Sequence, residues 1–232
     1  MPDIEIVTNK GESFGAYIAL PKGEDKAPVV VMIQEIFGVN GDMRKKCDEM
    51  AAEGYIAVSP DLFWRIEPNI QLTDKTEAEW ERAFELFGLF DTDKGTEDIQ
   101  ATIDHVRGHD RSNGKVGAVG YCLGGQLAYM AATRTDADCS VGYYGVRINE
   151  MLDEAKNIKK PLMLHIAGKD EFVPPEAQKE IIDTLADYAL AVTYLYEECD
   201  HAFARHEGAH YNKGAATLAN TRTADFLAEN LS

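Results

Sequence analysis

The chain has 232 residues, a hydrophobic fraction of 45% and a formal net charge of −17. This length fits one large α/β domain or two small ones, and no apolar run approaches the roughly 20 residues that span a bilayer. The charge argues against nucleic acid and anionic membranes as partners, because both are polyanions. The sequence after Met1 lacks the basic and apolar regions of a signal peptide, so we expect a cytoplasmic protein.

The predicted elements begin with two alternating strands, Ile4–Val7 and Phe14–Leu20, which flank a turn and predict an antiparallel hairpin. The predictions that follow in chain order are strand Pro28–Gln34, helix Asn40–Glu53, strand Tyr55–Ser59, helices Lys75–Phe87 and Lys94–Arg107, strand Lys115–Tyr121, helix Leu123–Thr133, strands Cys139–Tyr144 and Leu162–Ala167, helix Pro175–Leu190, strand Val192–Tyr196 and helix Ala209–Glu229. This alternation predicts an α/β fold with a mostly parallel, doubly wound sheet. No linker interrupts it, so we expect a single domain over residues 1–232.

One strand runs directly into the sequence Gly120-Tyr121-Cys122-Leu123-Gly124. The spacing G-x-nucleophile-x-G is typical of a nucleophile elbow, where small neighbours let the backbones of a strand and a helix approach closely. The turn would expose Cys122 at a helix N-terminus, which favours a thiolate or an oxyanion. The plain alternative is a buried cysteine in a glycine-rich turn.

An acid and a base follow two later strands. Asp170 comes after Leu162–Ala167, with Glu171 as the fallback, and His201 comes after Val192–Tyr196. The chain order of nucleophile, acid and histidine is that of the α/β-hydrolases. His201 would take the thiol proton and return it to the leaving group, while Asp170 would orient the imidazole. Taken alone, Asp170 could equally be a turn residue that accepts local N–H bonds.

The other cysteines and histidines favour simpler interpretations. Four widely spaced cysteines contain no C-x-x-C pair, so each of the other three is expected to be a small buried residue: Cys47, Cys139 and Cys199. His165 lies inside a predicted strand and should be a core or lining residue. A metal site remains an alternative, because three histidines fall within ten residues: His201, His206 and His210. No companion ligand motif accompanies them, and no metal or cofactor is expected.

Several segments resemble the dienelactone hydrolase (carboxymethylenebutenolidase) family of the α/β-hydrolase fold. They are the sequences QEIFGVN from residue 34, SPDLF from 59, SNGKVGAVGYCLGG from 112, VGYYGV from 141, GKDEFVP from 168 and HAFAR from 201. The resemblance covers nearly the whole chain, and a cysteine at the elbow is fairly specific because most α/β-hydrolases carry serine there. Family members are often monomers, and a monomer is expected here.

The resemblance implies roles for further residues. Glu35 matches a glutamate that controls thiol ionisation, and Arg205 matches an arginine that pairs with it and binds the substrate carboxylate. The backbone N–H groups of Ile36 and Leu123 would form the oxyanion hole. Two aromatic residues match members of the pocket lining: Phe37 and Tyr144.

One departure concerns the second carboxylate-binding arginine of the enzymes that act on dienelactone. Trp80 occupies its position in this chain, and Arg82 lies two residues further on, which is about 200° of rotation on a helix. We therefore expect either that Arg82 reaches the pocket by a local shift or that Arg205 binds the carboxylate alone. Both Trp80 and Arg82 are candidate substrate-binding residues.

Three functions follow from these observations. The first is hydrolysis of a lactone or carboxylic ester through a Cys122 thioester, with dienelactone (4-carboxymethylenebut-2-en-4-olide) converted to maleylacetate. The second is a carboxylesterase or thioesterase with broader specificity, which the departure at Trp80 favours. The third, of another class, is a non-catalytic ligand-binding protein on the same fold, although none of the triad residue types is missing.

Overall fold

The computed structural model describes residues 4–206 and 208–232, in which eight strands and six α-helices alternate. The predicted α/β fold, mostly parallel with an antiparallel N-terminal hairpin, is confirmed. When residues are grouped by their contacts in space, the chain divides into two compact units, the first ending at Ala118 and the second beginning at Val119. No helix in the described residues is both long and apolar enough to cross a membrane.

The first unit contains the hairpin, two parallel strands and three helices. Its strands are β1 (Ile4–Val7), β2 (Ser13–Ala19), β3 (Ala27–Ile33) and β4 (Ile56–Pro60), and its helices are α1 (Gly41–Ala52), α2 (Glu77–Leu89) and α3 (Thr92–Arg107). The strand order is β1-β2-β4-β3, with β1 and β2 antiparallel and β3 parallel to β4. The residues of β4 are all buried, and most of those of β3 are, so both strands form the core of this unit.

Strand β5 (Ser112–Tyr121) extends from the first unit into the second. The second unit continues with α4 (Leu123–Arg134), β6 (Cys139–Tyr143), β7 (Leu162–Ala167), α5 (Pro175–Leu185), β8 (Ala191–Tyr196) and α6 (Lys213–Leu231). Strands β6, β7 and β8 are parallel neighbours. Their carboxyl ends therefore lie at one edge, which is where ligands bind in sheets of this kind.

Several helix boundaries differ from the prediction. Helix α5 ends at Leu185 rather than at residue 190, because the chain turns through Tyr188 and the carbonyl of Leu190 already accepts the β7 N–H of Leu162. Helix α6 starts at Lys213 rather than at residue 209, because the Asn212 side chain caps it. A 3₁₀ segment at Ile148–Asn157 was not predicted, since short helices of this type carry little sequence periodicity.

Candidate active site

Cys122 occupies a strained turn between β5 and α4. Its backbone has φ 57° and ψ −115°, a conformation that a residue with a Cβ rarely adopts. The N–H of Cys122 donates to the carbonyl of Tyr143 at the end of β6, 3.0 Å away, which holds the turn against the sheet. A strained residue of this kind persists only where the surrounding structure determines its conformation, and such residues cluster at functional sites.

The glycines on both sides of Cys122 are required by close backbone contacts. A Cβ at Gly120 would lie 1.9 Å from the carbonyl oxygen of Gly124, and a Cβ at Gly125 would lie 2.5 Å from the carbonyl oxygen of Tyr143. Neither position can accept a side chain without a movement of the backbone. The geometry of the turn therefore explains the first glycine of the G-x-C-x-G sequence, Gly120, and the additional glycine that follows it, Gly125.

The turn places Cys122 at the N-cap of helix α4. Its carbonyl accepts the N–H groups of Gly125 and Gln126, while the N–H of Leu123 is the first of the helix, a position without an intrahelical partner. The first turn of α4 carries no acidic residue that would offset the positive end of the helix dipole. This environment stabilises negative charge on an oxygen bound beside the Cys122 sulfur.

Asp170 lies in the loop after β7 and is almost fully buried. Its Oδ1 accepts the N–H of Phe172 at 2.9 Å, and its Oδ2 is 2.8 Å from Nδ1 of His201. The loop is tied to the loop after β8, because the N–H of Lys169 donates to the carbonyl of Cys199. Glu171, the fallback acid, is exposed. Of these two carboxylates, Asp170 is the one that the structure brings to His201.

The His201 ring is buried between two aromatic rings, Tyr144 with centroids 5.1 Å apart and Phe172 at 4.8 Å. Burial alone would lower the pKa of His201, but the negative charge of the Cys122 sulfur and the hydrogen bond with Asp170 raise it above its ordinary value. The second ring nitrogen, Nε2, has no hydrogen bond of ordinary geometry to the described residues. The hydrogen bond between a nucleophile and its base is commonly long in catalytic sites before a substrate is bound.

Tyr144 and Arg205 also lie in the second unit, on either side of His201 in the sequence. Tyr144 has a positive φ of 38°, and its N–H donates to the carbonyl of His165 at 2.7 Å. Arg205 is buried, although it is charged, and its N–H donates to the carbonyl of Ala202 in the turn that carries His201. A buried guanidinium requires compensating polar groups, so this position is consistent with a role in binding an anion.

The three histidines that suggested a metal site have separate partners. His206 packs against Tyr211 with ring centroids 5.5 Å apart, and Nδ1 of His210 lies 3.6 Å from the Asp200 carboxylate. His201 is bonded to Asp170. Within residues 4–206 and 208–232, no group of three or more potential ligands is arranged to hold a metal ion.

Three further predicted residues follow β3 in the first unit: Glu35, Ile36 and Phe37 are all buried. Gly38 then adopts a positive φ of 76°, and a Cβ there would lie 2.1 Å from the carbonyl oxygen of Ile70. The chain must therefore turn sharply at the carboxyl end of β3. The predicted roles of Glu35 and of the Ile36 N–H toward Cys122 remain predictions.

Trp80 and Arg82 lie on helix α2, also in the first unit. The Trp80 ring contacts Phe37, with centroids 5.0 Å apart. The Arg82 guanidinium instead binds two surface carboxylates, those of Glu67 and Glu85, each at 2.5 Å. Arg82 is thus engaged by acidic neighbours, and the local shift that would direct it to a substrate is absent from this structure.

Sequence reasoning missed the aromatic rings that surround His201 and their contacts with one another. Phe172 follows Asp170 by two residues, and its ring edge packs against the imidazole. Phe203 packs against Tyr144 with centroids 5.5 Å apart, and against Tyr196 at 4.8 Å. The clustering of aromatic residues just after β7 and β8 was the available signal, although it does not specify which ring touches the histidine.

The fold and the strand–turn–helix junction at Cys122 define the class of the α/β-hydrolases. The chain belongs to the dienelactone hydrolase family, whose model matches residues 14–231, and it is accordingly a hydrolase.

Relatives and a solved structure agree with this family. A protein of Azospirillum brasilense, provisionally named a carboxymethylenebutenolidase, is 46% identical over 232 residues and both full lengths. The carboxymethylenebutenolidase of Pseudomonas putida is 41% identical over 97% of this chain and 95% of its own. A crystal structure of a provisionally named dienelactone hydrolase from Klebsiella pneumoniae superposes with a TM-score of 0.85 at 25% identity, covering 97% of this chain and 98% of that one.

Proposed function

We propose that the protein hydrolyses a lactone or carboxylic ester through a thioester on Cys122. The Cys122 sulfur attacks the carbonyl carbon, the C–O bond to the leaving alcohol breaks, and the thiol proton passes through His201 to that oxygen. Water then attacks the thioester, which releases the carboxylic acid and restores the thiol. The observation that carries this proposal is the 2.8 Å contact between His201 and Asp170, together with the effect of the Cys122 charge on the pKa of His201.

The oxyanion of the tetrahedral intermediate would be bound by backbone N–H groups. The Leu123 N–H is the first of helix α4, and donors at such a position stabilise developing negative charge. Ile36 would supply the second N–H, as the family resemblance implies. The strained backbone at Cys122 supports this role because it fixes the Leu123 N–H relative to the sulfur.

Glu35 and Arg205 would couple nucleophile activation to substrate binding. A free thiolate is easily oxidised, and a glutamate near Cys122 would disfavour that anion by like-charge repulsion. An anionic substrate that binds Arg205 would release Glu35 to accept the thiol proton and pass it to His201, which delivers it to the leaving oxygen. The substitution Glu35→Gln should then lower kcat much more than it raises KM, and an unchanged kcat would exclude this coupling.

Dienelactone is the first candidate substrate, because relatives at 41–46% identity carry the name carboxymethylenebutenolidase. The product would be maleylacetate. A broader carboxylesterase or thioesterase is the second candidate. The ion pairs of Arg82 with Glu67 and Glu85 favour this second candidate, because they engage the guanidinium that could otherwise bind the substrate carboxylate together with Arg205.

The test is a hydrolysis screen of dienelactone and neutral nitrophenyl esters, followed by mass spectrometry of the quenched enzyme. We expect turnover of at least one substrate and an acyl adduct on the peptide that contains Cys122. Cys122→Ala should abolish both, whereas Cys47→Ala, which removes a buried cysteine from helix α1, should retain activity.

Each alternative predicts a different result in the same screen. Activity that survives Cys122→Ala would overturn the thioester mechanism. Loss of activity with a chelator would support a metal enzyme. Ligand binding without turnover of any substrate would support a non-catalytic binding protein.

A further inference from the structure

The Trp80 ring is held on three sides. The Phe37 ring meets it almost edge-on, with centroids 5.0 Å apart and an interplanar angle of 82°, and the Phe84 ring stacks on it at 5.6 Å and 28°. The indole N–H donates to the carbonyl of Asp74 at 3.0 Å. Because this hydrogen bond satisfies the only polar group of the side chain, the surface that Trp80 still exposes is apolar.

The charges around Trp80 are predominantly negative. Helix α2 carries four glutamates and one arginine, and that arginine, Arg82, is bound by Glu67 and Glu85. Repulsion by the carboxylates of the same helix would therefore disfavour an anionic group at Trp80. An uncharged group would meet a fixed aromatic ring and no such repulsion.

The chain links this ring to the proposed chemistry. Phe37 directly follows Ile36, whose N–H is the proposed oxyanion donor, and Phe37 is the residue on which Trp80 packs. A single residue, Phe37, thus joins the proposed oxyanion donor to the Trp80 ring. Phe84, which is 46% exposed, continues the same set of rings to the surface.

We propose that Trp80 is a specificity-determining residue that binds an uncharged aromatic substituent of the acyl substrate in preference to a carboxylate. This inference rests on the proposed hydrolase function and names the substrate class. The rigid ring binds a planar group at a low cost in conformational entropy, and aromatic pairs prefer offset or edge-to-face contacts of the kind seen with Phe37. Arg205 remains the proposed site for any anionic group of the same substrate.

The experiment compares two nitrophenyl esters with the same leaving group, 4-nitrophenyl 3-phenylpropanoate and 4-nitrophenyl hydrogen adipate. We expect the wild-type enzyme to favour the phenyl ester in kcat/KM by about tenfold, the factor that one good aromatic contact supplies. Trp80→Arg should lower this ratio by at least about tenfold, because it removes the ring and adds a cation. The ratio does not depend on the fraction of enzyme that folds, so a destabilised variant remains informative.

Two control variants separate contact from long-range charge. Leu89→Arg adds the same charge to an exposed position of helix α2 and should leave the ratio within about twofold of wild type, because exposed charges are well screened. Leu89→Ala, which changes the same position without adding a charge, should also leave it within that range. An equal change in Leu89→Arg and Trp80→Arg, or an unchanged ratio in Trp80→Arg, would overturn the proposal.

A wild-type preference for the adipate ester would overturn the proposal while leaving the hydrolase function intact. Failure of the wild-type enzyme to hydrolyse either ester or dienelactone would overturn the hydrolase function and this inference with it. The two failures are therefore distinguishable in one set of measurements.

Discussion

The second unit contains two buried histidines in contrasting surroundings. His165 lies in β7, with Nδ1 2.9 Å from the Tyr196 hydroxyl and Nε2 3.0 Å from the Thr223 hydroxyl. Burial, helped by the charge of Arg222, lowers the pKa of His165 to about 3. At His201 burial acts in the same direction, but the charge of Cys122 and the bond with Asp170 outweigh it and raise the pKa.

The comparison shows that the charge of the partners, rather than burial, separates a structural histidine from a candidate base. Hydroxyl partners satisfy the hydrogen bonds of neutral His165 without stabilising the second proton that would make it an imidazolium. A carboxylate and a thiolate stabilise the imidazolium, which is the form that a base acquires when it removes a proton in the reaction. The same residue type therefore builds a core in one place and a proton-transfer site in another.

The largest effect expected in this comparison comes from removing the carboxylate partner of His201. Asp170→Asn should lower kcat by about 10³–10⁴-fold, because the amide neither fixes the required tautomer nor stabilises the imidazolium. The measurement is kcat on the best substrate of the screen, with circular dichroism to verify folding. A variant that retains more than a tenth of the wild-type kcat would contradict the assigned role of Asp170.

The matched variant at the other histidine is Thr223→Val, which removes the hydroxyl that bonds both His165 Nε2 and the Tyr143 hydroxyl. It should leave kcat within about threefold of wild type and instead lower the free energy of unfolding by about 1–3 kcal/mol, the cost of an unsatisfied buried group. A loss of kcat comparable to that of Asp170→Asn would remove the distinction between the two histidines.

The next effect concerns the pH dependence of stability. The folded-state pKa of His165 is about 3, below the ordinary 6.5 of the unfolded chain, so the unfolded state binds the proton first as the pH falls. The stability that neutral His165 contributes is present above pH 6.5 and is lost between 6.5 and 3. From pH 7 to pH 5 the loss amounts to about 2 kcal/mol, measurable as the difference between the wild type and His165→Gln in urea unfolding.

The contribution of His201 to stability should change with pH in the opposite direction. Its folded-state pKa is raised, so its contribution is present below pH 6.5 and is lost as the pH rises through the folded value. The difference between the wild type and His201→Gln should therefore decrease on the alkaline side. If both variants changed stability in the same direction with pH, the two surroundings would not differ as described.

The parts of the molecule that depend on local backbone geometry were predictable. The close approach of Gly120 to Gly124 is a requirement of one turn, so five residues of sequence carry it. The positions of Asp170 and His201 after their strands follow from the strand pattern and the rule that ligands bind at the carboxyl ends. The cap at Asn40 was predictable for the same local reason, and its side chain accepts the N–H of Met43.

The parts that depend on distant contacts were not predictable. Trp80 packs on Phe37, which is 43 residues away, and no periodicity encodes that pair. The ion pairs of Arg82 depend in the same way on Glu67, which lies outside the helix. The pKa values of His165 and His201 follow from burial and from partners that only the folded chain supplies, so the sequence identified two histidines without separating their electrostatics.

A smaller effect is expected in the reactivity of the four cysteines. Burial raises the pKa of the Cys139 thiol to about 12 and also raises those of Cys47 and Cys199, whereas Cys122 lies at a helix N-terminus beside His201. At pH 7 iodoacetamide should modify Cys122 at least about tenfold faster than the others, because their raised pKa values keep them as the unreactive thiol. Peptide mapping by mass spectrometry measures the four rates.

His201→Gln provides the control for this reactivity, since it removes the imidazole and retains the elbow. In this variant iodoacetamide should modify Cys122 more slowly, and the rates of the other three cysteines should be unchanged. Modification of Cys199 ahead of Cys122 would place the reactive thiol elsewhere in the His201 turn.

The smallest effect concerns the backbone on which each histidine is carried. His165 lies in a regular strand, whereas His201 is followed by Ala202 with φ 62°, a conformation that costs a residue with a Cβ about 1–2 kcal/mol. Ala202→Gly relieves that strain but increases the freedom of the unfolded chain by about 0.5–1 kcal/mol, so the free energy of unfolding should rise by no more than about 1.5 kcal/mol. Urea unfolding measures this change, and kcat should remain within about threefold because the His201–Asp170 bond is retained. A decrease in stability would mean that contacts of the alanine methyl group, rather than backbone strain, dominate at this turn.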